Sequence, residues 1–428
     1  MPHPHPARIS LFQLTSIGIC FLMNMLDGMN VMVMSYTAPA LMRAWEIPSE
    51  TMGVVFSAGL LGMALGAILI SPQADRFGRR TLIMCCAALM GLSVLATGWV
   101  SSLPWLIFLR ILSGLGIGGM LASTATLAAE YAPRRTQDFW VSLVMGGYPL
   151  GAVLSGMWAA PAIPVLGWEV AFRGAGILTL ATIPLTAWLL SESPAFLLQA
   201  QPPKALIRLN HIRMRMHEAP LDSLPEQAPA AIKTVPVLTL LAGPMQRSTL
   251  LLWTGLFMAF ATLYFLTSWI PRLADTVGLP MQMAIYAGTV FNLGAFGGIL
   301  LQGYLSGRLG LRRTLAGFLF TTAGLMGIFG LISGSIWVLV LFGLIGLGIQ
   351  GGFVGLYSVA ARLYPVSIRT TGVGWAIGLG RVGGIVGPML GGILMGQSFS
   401  PTVQFMFFAL PLFISGWATL VIMSAEVP

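Results

Sequence analysis

Long apolar runs alternate with short polar stretches along this chain, and the rare charged residues mark where each run stops. Arg8 to Arg43 holds a single charge, Asp27, and predicts a first span over about residues 10–38. Glu50 to Asp75 predicts the second. Arg80 to Glu130 holds only Arg110 and fits two spans, with a turn at Ser101-Ser102-Leu103-Pro104. Asp138 to Glu169 and Arg173 to Glu192 supply spans 5 and 6, and Arg247 to Arg272 and Asp275 to Arg308 supply spans 7 and 8. Arg313 to Arg362 carries no charge between its ends and fits two spans turning near Ser333-Gly334-Ser335. Arg369 to Glu426 holds only Arg381 and fits two more, turning near Ser398-Phe399-Ser400-Pro401. These runs are continuously apolar rather than alternating, so they predict helices and exclude a lipid-facing β-barrel.

The expected fold is an all-α membrane protein of twelve transmembrane helices in two halves of six. Residues 1–191 form the first bundle, 192–247 a linker and 248–428 the second bundle. The linker is proline-rich, and its Lys204–Arg215 segment predicts a basic helix lying on a membrane surface. A faint repeat supports the duplication: Arg76, Gly78 and Arg80 after span 2 align with Arg308, Gly310 and Arg312 after span 8. Six plus six helices with a duplicated loop is the plan of a transporter built from two halves.

Composition agrees. Of 428 residues, 56% are hydrophobic and 8% charged, against about 25% charged in soluble domains. A soluble enzyme, a nucleic-acid binder and a disulfide scaffold are thereby excluded. The net charge of +9 is a matter of topology. Seventeen Lys and Arg fall at the N-terminus and in the even-to-odd loops, but only Arg43, Arg173 and Arg272 fall on the other side. The positive-inside rule then places both termini in the cytoplasm. The first apolar run continues too long for a cleavable signal peptide, so it is expected to be the first span. Cys20, Cys85 and Cys86 lie in apolar stretches and say nothing about redox compartment.

The polar exceptions inside spans carry the candidate chemistry. Asp27 lies about 16 Å from the outer end of span 1 at 1.5 Å per residue. A buried carboxylate costs several kcal/mol unless a proton or a cation neutralises it, so Asp27 is the candidate proton carrier. Arg110 in span 4 lies at a compatible depth and, unable to give up its own proton, can hold Asp27 ionised until substrate or a proton intervenes; a static ion pair between the two is the plainer alternative. Asn24 and Asn30 share the polar side of span 1 with Asp27. Arg381, near the middle of span 11, offers a planar fork for a substrate carboxylate, with capping of backbone carbonyls as its plainer role. Gln350, Phe353 and Tyr357 recur at i, i+3 and i+7 on span 10 and can orient a ring. Tyr264 and Trp269 in span 7 and Tyr148 in span 5 are further candidates beside ordinary packing. The glycines at 114, 116, 118 and 119 lie mid-span without a strand or a phosphate-binding lysine, so they argue close helix packing rather than a nucleotide loop. No cofactor or metal is expected, the Pro-His-Pro-His-Pro at residues 2–6 being too sparse for a metal site.

Ser71-Pro-Gln-Ala-Asp75-Arg-Phe-Gly-Arg-Arg80 and Arg110-x-x-x-Gly114-x-Gly116-x-Gly118 resemble two motifs of the major facilitator superfamily, with Ser71 replacing the leading glycine. Leu26-Asp-Gly-Met-Asn30, Glu130-Tyr-Ala-Pro-Arg-Arg135, Ser191-Glu-Ser-Pro194 and the stretch from Tyr364 to Pro388 resemble its aromatic acid:proton symporter family. Asn30 stands where that family commonly has a second acid, and Leu121-Ala122 where it often has Pro-Asn. The resemblance implies the major facilitator fold and a cytoplasmic gate built from Asp75, Arg76, Gly78, Arg80, Glu130 and Arg134. Asp75 is then expected to pair with Arg134, and Glu130 with Arg76 or Arg80.

The function these readings imply is proton-coupled uptake of a small organic anion, an aromatic carboxylate, by a monomer in the bacterial inner membrane. Its partners are that anion, a proton and the lipid bilayer, with no nucleic acid. The alternative is a proton-antiport exporter of a drug or metabolite. A membrane sensor would need a signalling extension, an intramembrane enzyme a second catalytic group, and an ATP-driven pump a phosphate loop.

Overall fold

In the computed structural model of the protein, residues 9–225, 240–241, 245–331, 335–365, 368–397 and 399–422 are described. The histidines at 3 and 5, much of the linker and parts of the expected turns at 333–335 and 398–401 lie outside them. The described residues form helices joined by turns and short irregular stretches, with no strand. The helices are α1 (Leu11–Trp45), α2 (Ser49–Leu65), α3 (Ala74–Phe77), α4 (Arg79–Thr97), α5 (Leu103–Tyr131), α6 (Gln137–Leu166) and α7 (Glu169–Leu189). They continue with α8 (Pro194–Gln199), α9 (Ala205–Arg215), α10 (Gln246–Thr276), α11 (Met281–Leu309) and α12 (Leu311–Gly327). The last are α13 (Ser335–Leu363), α14 (Arg369–Gly396) and α15 (Pro401–Val421). Among described residues, 11 helical segments are long and apolar enough to cross a membrane, so this is a multi-pass membrane protein.

Helix ends follow local chemistry. Ser193 and Ser400 cap α8 and α15 by accepting from the N–H of Phe196 and Val403, each such cap contributing about 1 kcal/mol. A π-turn over Gly66–Ile70 leads from α2 into the polar segment before α4. Gly78 breaks the helix there with φ +91°, in the left-handed region that only glycine enters freely. The basic segment of the linker does form a helix, α9. Its Ala205, Leu209 and Ile212 are buried within the protein, and Arg215 stacks 4.2 Å over the Phe12 ring of α1. Its apolar face therefore packs on protein, which leaves less of it for a membrane surface than the sequence suggested.

Chain contacts group into two compact units. The first comprises residues 1–30, 61–151 and 172–231, and the second residues 31–60, 152–171 and 232–428. In the first unit α1 crosses α6 so closely that a Cβ on Gly28 would strike the Tyr148 carbonyl, and α4 packs along α5. In the second unit α10 lies along α14, α11 along α13 and α12 along α15. That core is strongly aromatic: Phe265 stacks on Phe408 at 3.7 Å and Phe329 on Phe405 at 4.2 Å. The second unit also contains the last part of α1. There Arg43 pairs with Asp275, which also takes Arg272 at 2.6 Å, and Tyr36 donates to the Ala152 carbonyl at 2.8 Å.

Candidate functional site

The candidate residues fall into two groups, one in each unit. In the first unit Asn24, Asp27 and Asn30 lie on α1 with no exposed surface. Asn30 is held in place, because its Nδ2 donates to the Leu26 carbonyl at 2.8 Å and to Thr179 Oγ1 of α7 at 3.0 Å. Among described residues, both oxygens of Asp27 and both polar atoms of Asn24 lack a hydrogen-bond partner. Cys86 of α4 lies close enough to Asp27 to interact with it electrostatically. Arg110 of α5 is buried in the same unit, with its Nε also unpartnered. No ion pair joins it to Asp27 in this structure, so the static-pair alternative is not what the geometry shows. An ionised carboxylate left alone in such a place costs several kcal/mol, and taking up a proton removes that cost. Tyr148 of α6 belongs to this unit too, half-buried beside α1.

The second unit collects Tyr264 on α10, Phe353 and Tyr357 on α13 and Arg381 on α14. Phe353 meets Tyr357 edge-on at 5.4 Å. Phe260, one turn before Tyr264, joins them. Its ring stacks on Tyr264 at 5.9 Å and meets Phe353 at 4.7 Å and Tyr357 at 6.4 Å. Arg381 is half-buried and acts electrostatically on both phenols. Among described residues its guanidinium forms no hydrogen bond or ion pair. The result is a cation with free donors beside a cluster of four rings, which suits a planar anion: the fork takes two carboxylate oxygens and the rings take the apolar remainder. Gln350 lies on α13 one turn before Phe353, half-buried. Trp269 is fully buried and donates to the Pro388 carbonyl at 2.9 Å, so it ties α10 to α14.

The expected gate residues gather in the first unit with different partners. Glu130 pairs with Arg79, not with Arg76 or Arg80. Its other oxygen accepts from Ser193 Oγ and from the Ala195 N–H. Arg80 donates its backbone N–H to Glu192 Oε1 at 3.0 Å and its guanidinium to the Ala187 carbonyl. Asp75 is exposed and acts on Arg79, not Arg134. The reason is the break at Gly78, which sends Arg79 inward and leaves Arg76 on the surface beside the Phe77 ring. Sequence reasoning therefore missed Arg79, Glu192, Ser193 and Phe260.

A family model for the Major Facilitator Superfamily matches residues 20–315 and 252–428. The chain is 34% identical to a 4-hydroxybenzoate transporter of Pseudomonas putida, over 92% of this chain and 88% of that one. It is 30% identical to a gallate transporter of Pseudomonas putida, over 96% of this chain and 92% of that one. The inward-open xylose transporter of E. coli shares the fold at a TM-score of 0.74 and 15% identity, over 97% of this chain and 98% of that chain. The chain belongs to the major facilitator superfamily. It is a transporter and not an enzyme, and its relatives carry aromatic acids.

Proposed function

We propose that this protein takes up a small aromatic carboxylate together with a proton, by alternating access, as a monomer in the bacterial inner membrane. The observation that carries this reading is Arg381, a cation with donors unused among the described residues, acting on Tyr264 and Tyr357, whose rings cluster with Phe260 and Phe353. Arg381 holds the carboxylate, the rings hold the aromatic body, and Gln350 and Tyr148 are further contacts. Asp27 carries the proton, with Asn24, Asn30 and Arg110 around it. Asp75, Arg76, Gly78, Arg80, Glu130 and Arg134, now with Arg79, gate the cytoplasmic side. In this reading α12, 17 residues or about 26 Å long, is a twelfth span. The bias of Lys and Arg between loops puts both termini in the cytoplasm. Residues 1–191 and 248–428 then act as two six-helix halves joined by residues 192–247.

The relatives named for gallate and 4-hydroxybenzoate supply the probe. Purified protein should be stabilised against heat by 4-hydroxybenzoate and not by 4-hydroxybenzamide, because only the acid matches the guanidinium fork. Arg381→Ala should weaken binding of the acid by about 100-fold, or about 2.8 kcal/mol. Equal binding of acid and amide would remove the carboxylate assignment and favour export of an uncharged or cationic compound.

A further inference from the structure

The first unit contains a line of polar groups that leads away from Asp27 along α1. At 100° per residue, Ser16, Cys20, Asn24 and Asp27 lie within about 80° of one another around the helix. Ser16 and Asp27 are about 16 Å apart along its axis. All four are buried, with Ser16, Cys20, Asn24 and Asp27 at 0% exposure. Ser16 Oγ, both polar atoms of Asn24 and both oxygens of Asp27 have no partner among the described residues. Ser123 of α5, also buried, leaves its hydroxyl unpartnered too. Buried polar groups rarely go unpaired, and the ordinary explanation for a row of them is internal water, each molecule making about three hydrogen bonds.

The line ends on groups that are satisfied. Tyr131, at the end of α5, is fully buried and lies near Cys20. Its hydroxyl donates to the Glu192 carbonyl at 2.8 Å, and Gln13 Nε2 donates to the Tyr131 carbonyl at 2.9 Å. The Glu192 carboxylate in turn accepts from the N–H of Arg80 and of Ser193 at 3.0 and 2.9 Å. The titratable or charged groups facing the line are Cys86 at the Asp27 end, and Cys20, Glu192, Arg80 and Arg215 around Tyr131.

We infer that this line is a water-filled proton path inside the first unit, joining Asp27 to the Tyr131–Glu192 end through Asn24, Cys20 and Ser16. It rests on Asp27 being the proton carrier and adds the route. The Asp27 carboxyl gives its proton to the first water and is left as carboxylate. Each water accepts one proton and passes one on, and the excess emerges beside Tyr131 and Glu192. The path shares no residue with the aromatic cluster of the second unit. Ser16 and Tyr131 are positioning residues: their hydroxyls hold waters in line and bond to no substrate.

Infrared spectroscopy on lipid films of the full chain tests the route without a substrate. The carboxyl band that disappears in Asp27→Asn is assigned first, in buffers from mildly acid to mildly alkaline, and its shift is then timed after a change to heavy water. Ser16→Ala with Tyr131→Phe should slow that shift by about tenfold, equivalent to about 1.4 kcal/mol of barrier, while Ser16→Thr, which keeps a hydroxyl, should match wild type. Both substitutions in the slow pair remove only small groups, and an unchanged helical spectrum confirms folding. An assigned band that exchanges at wild-type rate in the double variant overturns the path and leaves the carrier standing. If no carboxyl band is lost in Asp27→Asn, the carrier reading fails as well.

Discussion

Asp27 and Arg381 are opposite charges set into apolar helices, and their surroundings differ in kind. Asp27 has no exposed surface and shares its side of α1 with the buried amide of Asn24. Arg381 is half-buried and acts on Tyr264 and Tyr357, two rings of a four-ring cluster. Among described residues neither meets a fixed counter-ion. A permanent partner would make each a static structural pair, whereas an unpaired charge in a medium of low dielectric demands a mobile one. The lining then selects what arrives. Small polar groups suit a proton and water, and a guanidinium with rings suits an anion that carries its own ring. The two regions thus read as sites for two different passengers, and each prediction below strikes one and spares the other.

The largest effect falls on Asp27. Asp27→Asn removes the proposed proton carrier of the first unit. Vesicles should stop accumulating labelled 4-hydroxybenzoate against its gradient, while exchange of labelled for unlabelled acid persists. Thermal stabilisation by the acid should persist as well, since Arg381 and its rings are untouched. Accumulation by the variant would sink the carrier role and collapse the contrast between the two regions.

Much of this contrast was legible in the sequence. Charges are so scarce that Asp27, Arg110 and Arg381 stand out, and the uncharged gaps alone predicted helices that the structure closely matches. Depth and type of residue were readable, but pairing was not. The sequence suggested comparable depths for Asp27 and Arg110 on different helices, yet the two form no ion pair. Phe260 was passed over because spans are full of phenylalanine. Its spacing of four residues from Tyr264 was the available signal, and only the approach of α13 and α14 gives that spacing meaning. The run of arginines at 76, 79 and 80 could not reveal which one turns inward, since that depends on the conformation of Gly78. The sequence likewise carried no sign of the π-turn at Gly66–Ile70, because rare helical geometry is imposed by packing rather than by propensity.

A middling effect is expected from the rings. Phe260→Ala and Phe353→Ala each remove one face of the aromatic cluster, and an aromatic contact contributes about 0.5–1.5 kcal/mol beyond its area. Affinity for 4-hydroxybenzoate should therefore fall by about three- to tenfold in titration calorimetry. Affinity for an aliphatic acid of similar size should change less, because it relies on Arg381 alone. Phe260→Leu separates shape from aromaticity: it keeps most of the volume but loses the stacked ring at 5.9 Å from Tyr264. An equal loss for both kinds of acid would mean that the rings only support the fold, and the second region would then be an anion site without aromatic preference.

The smallest effect concerns the arginines around Gly78, and it asks whether polar pairs of the first unit behave like its unpaired acid. Arg79 and Glu130 form an ion pair in which each side chain is 15% exposed. Removing one member leaves the other with partners: Arg79 still reaches Ser193 Oγ at 3.2 Å, and Glu130 still accepts from Ser193 and Ala195. The penalty is therefore less than for an isolated buried charge, about 1–2 kcal/mol rather than the 3–5 kcal/mol of a fully stranded ion. Arg79→Gln should lower the melting temperature in detergent by a few degrees. Arg76→Gln, on the surface beside Phe77, should barely move it. The double variant Arg79→Gln with Glu130→Gln should lose less than the two single changes together, because the partners share one interaction. If Arg76→Gln instead proves the more damaging, the pairing originally suggested by the motif is right and the inward turn at Gly78 is not what orders this segment. If the single losses simply add, Arg79 and Glu130 do not act as a pair, and the polar network of the first unit would be held chiefly by Ser193 and Glu192.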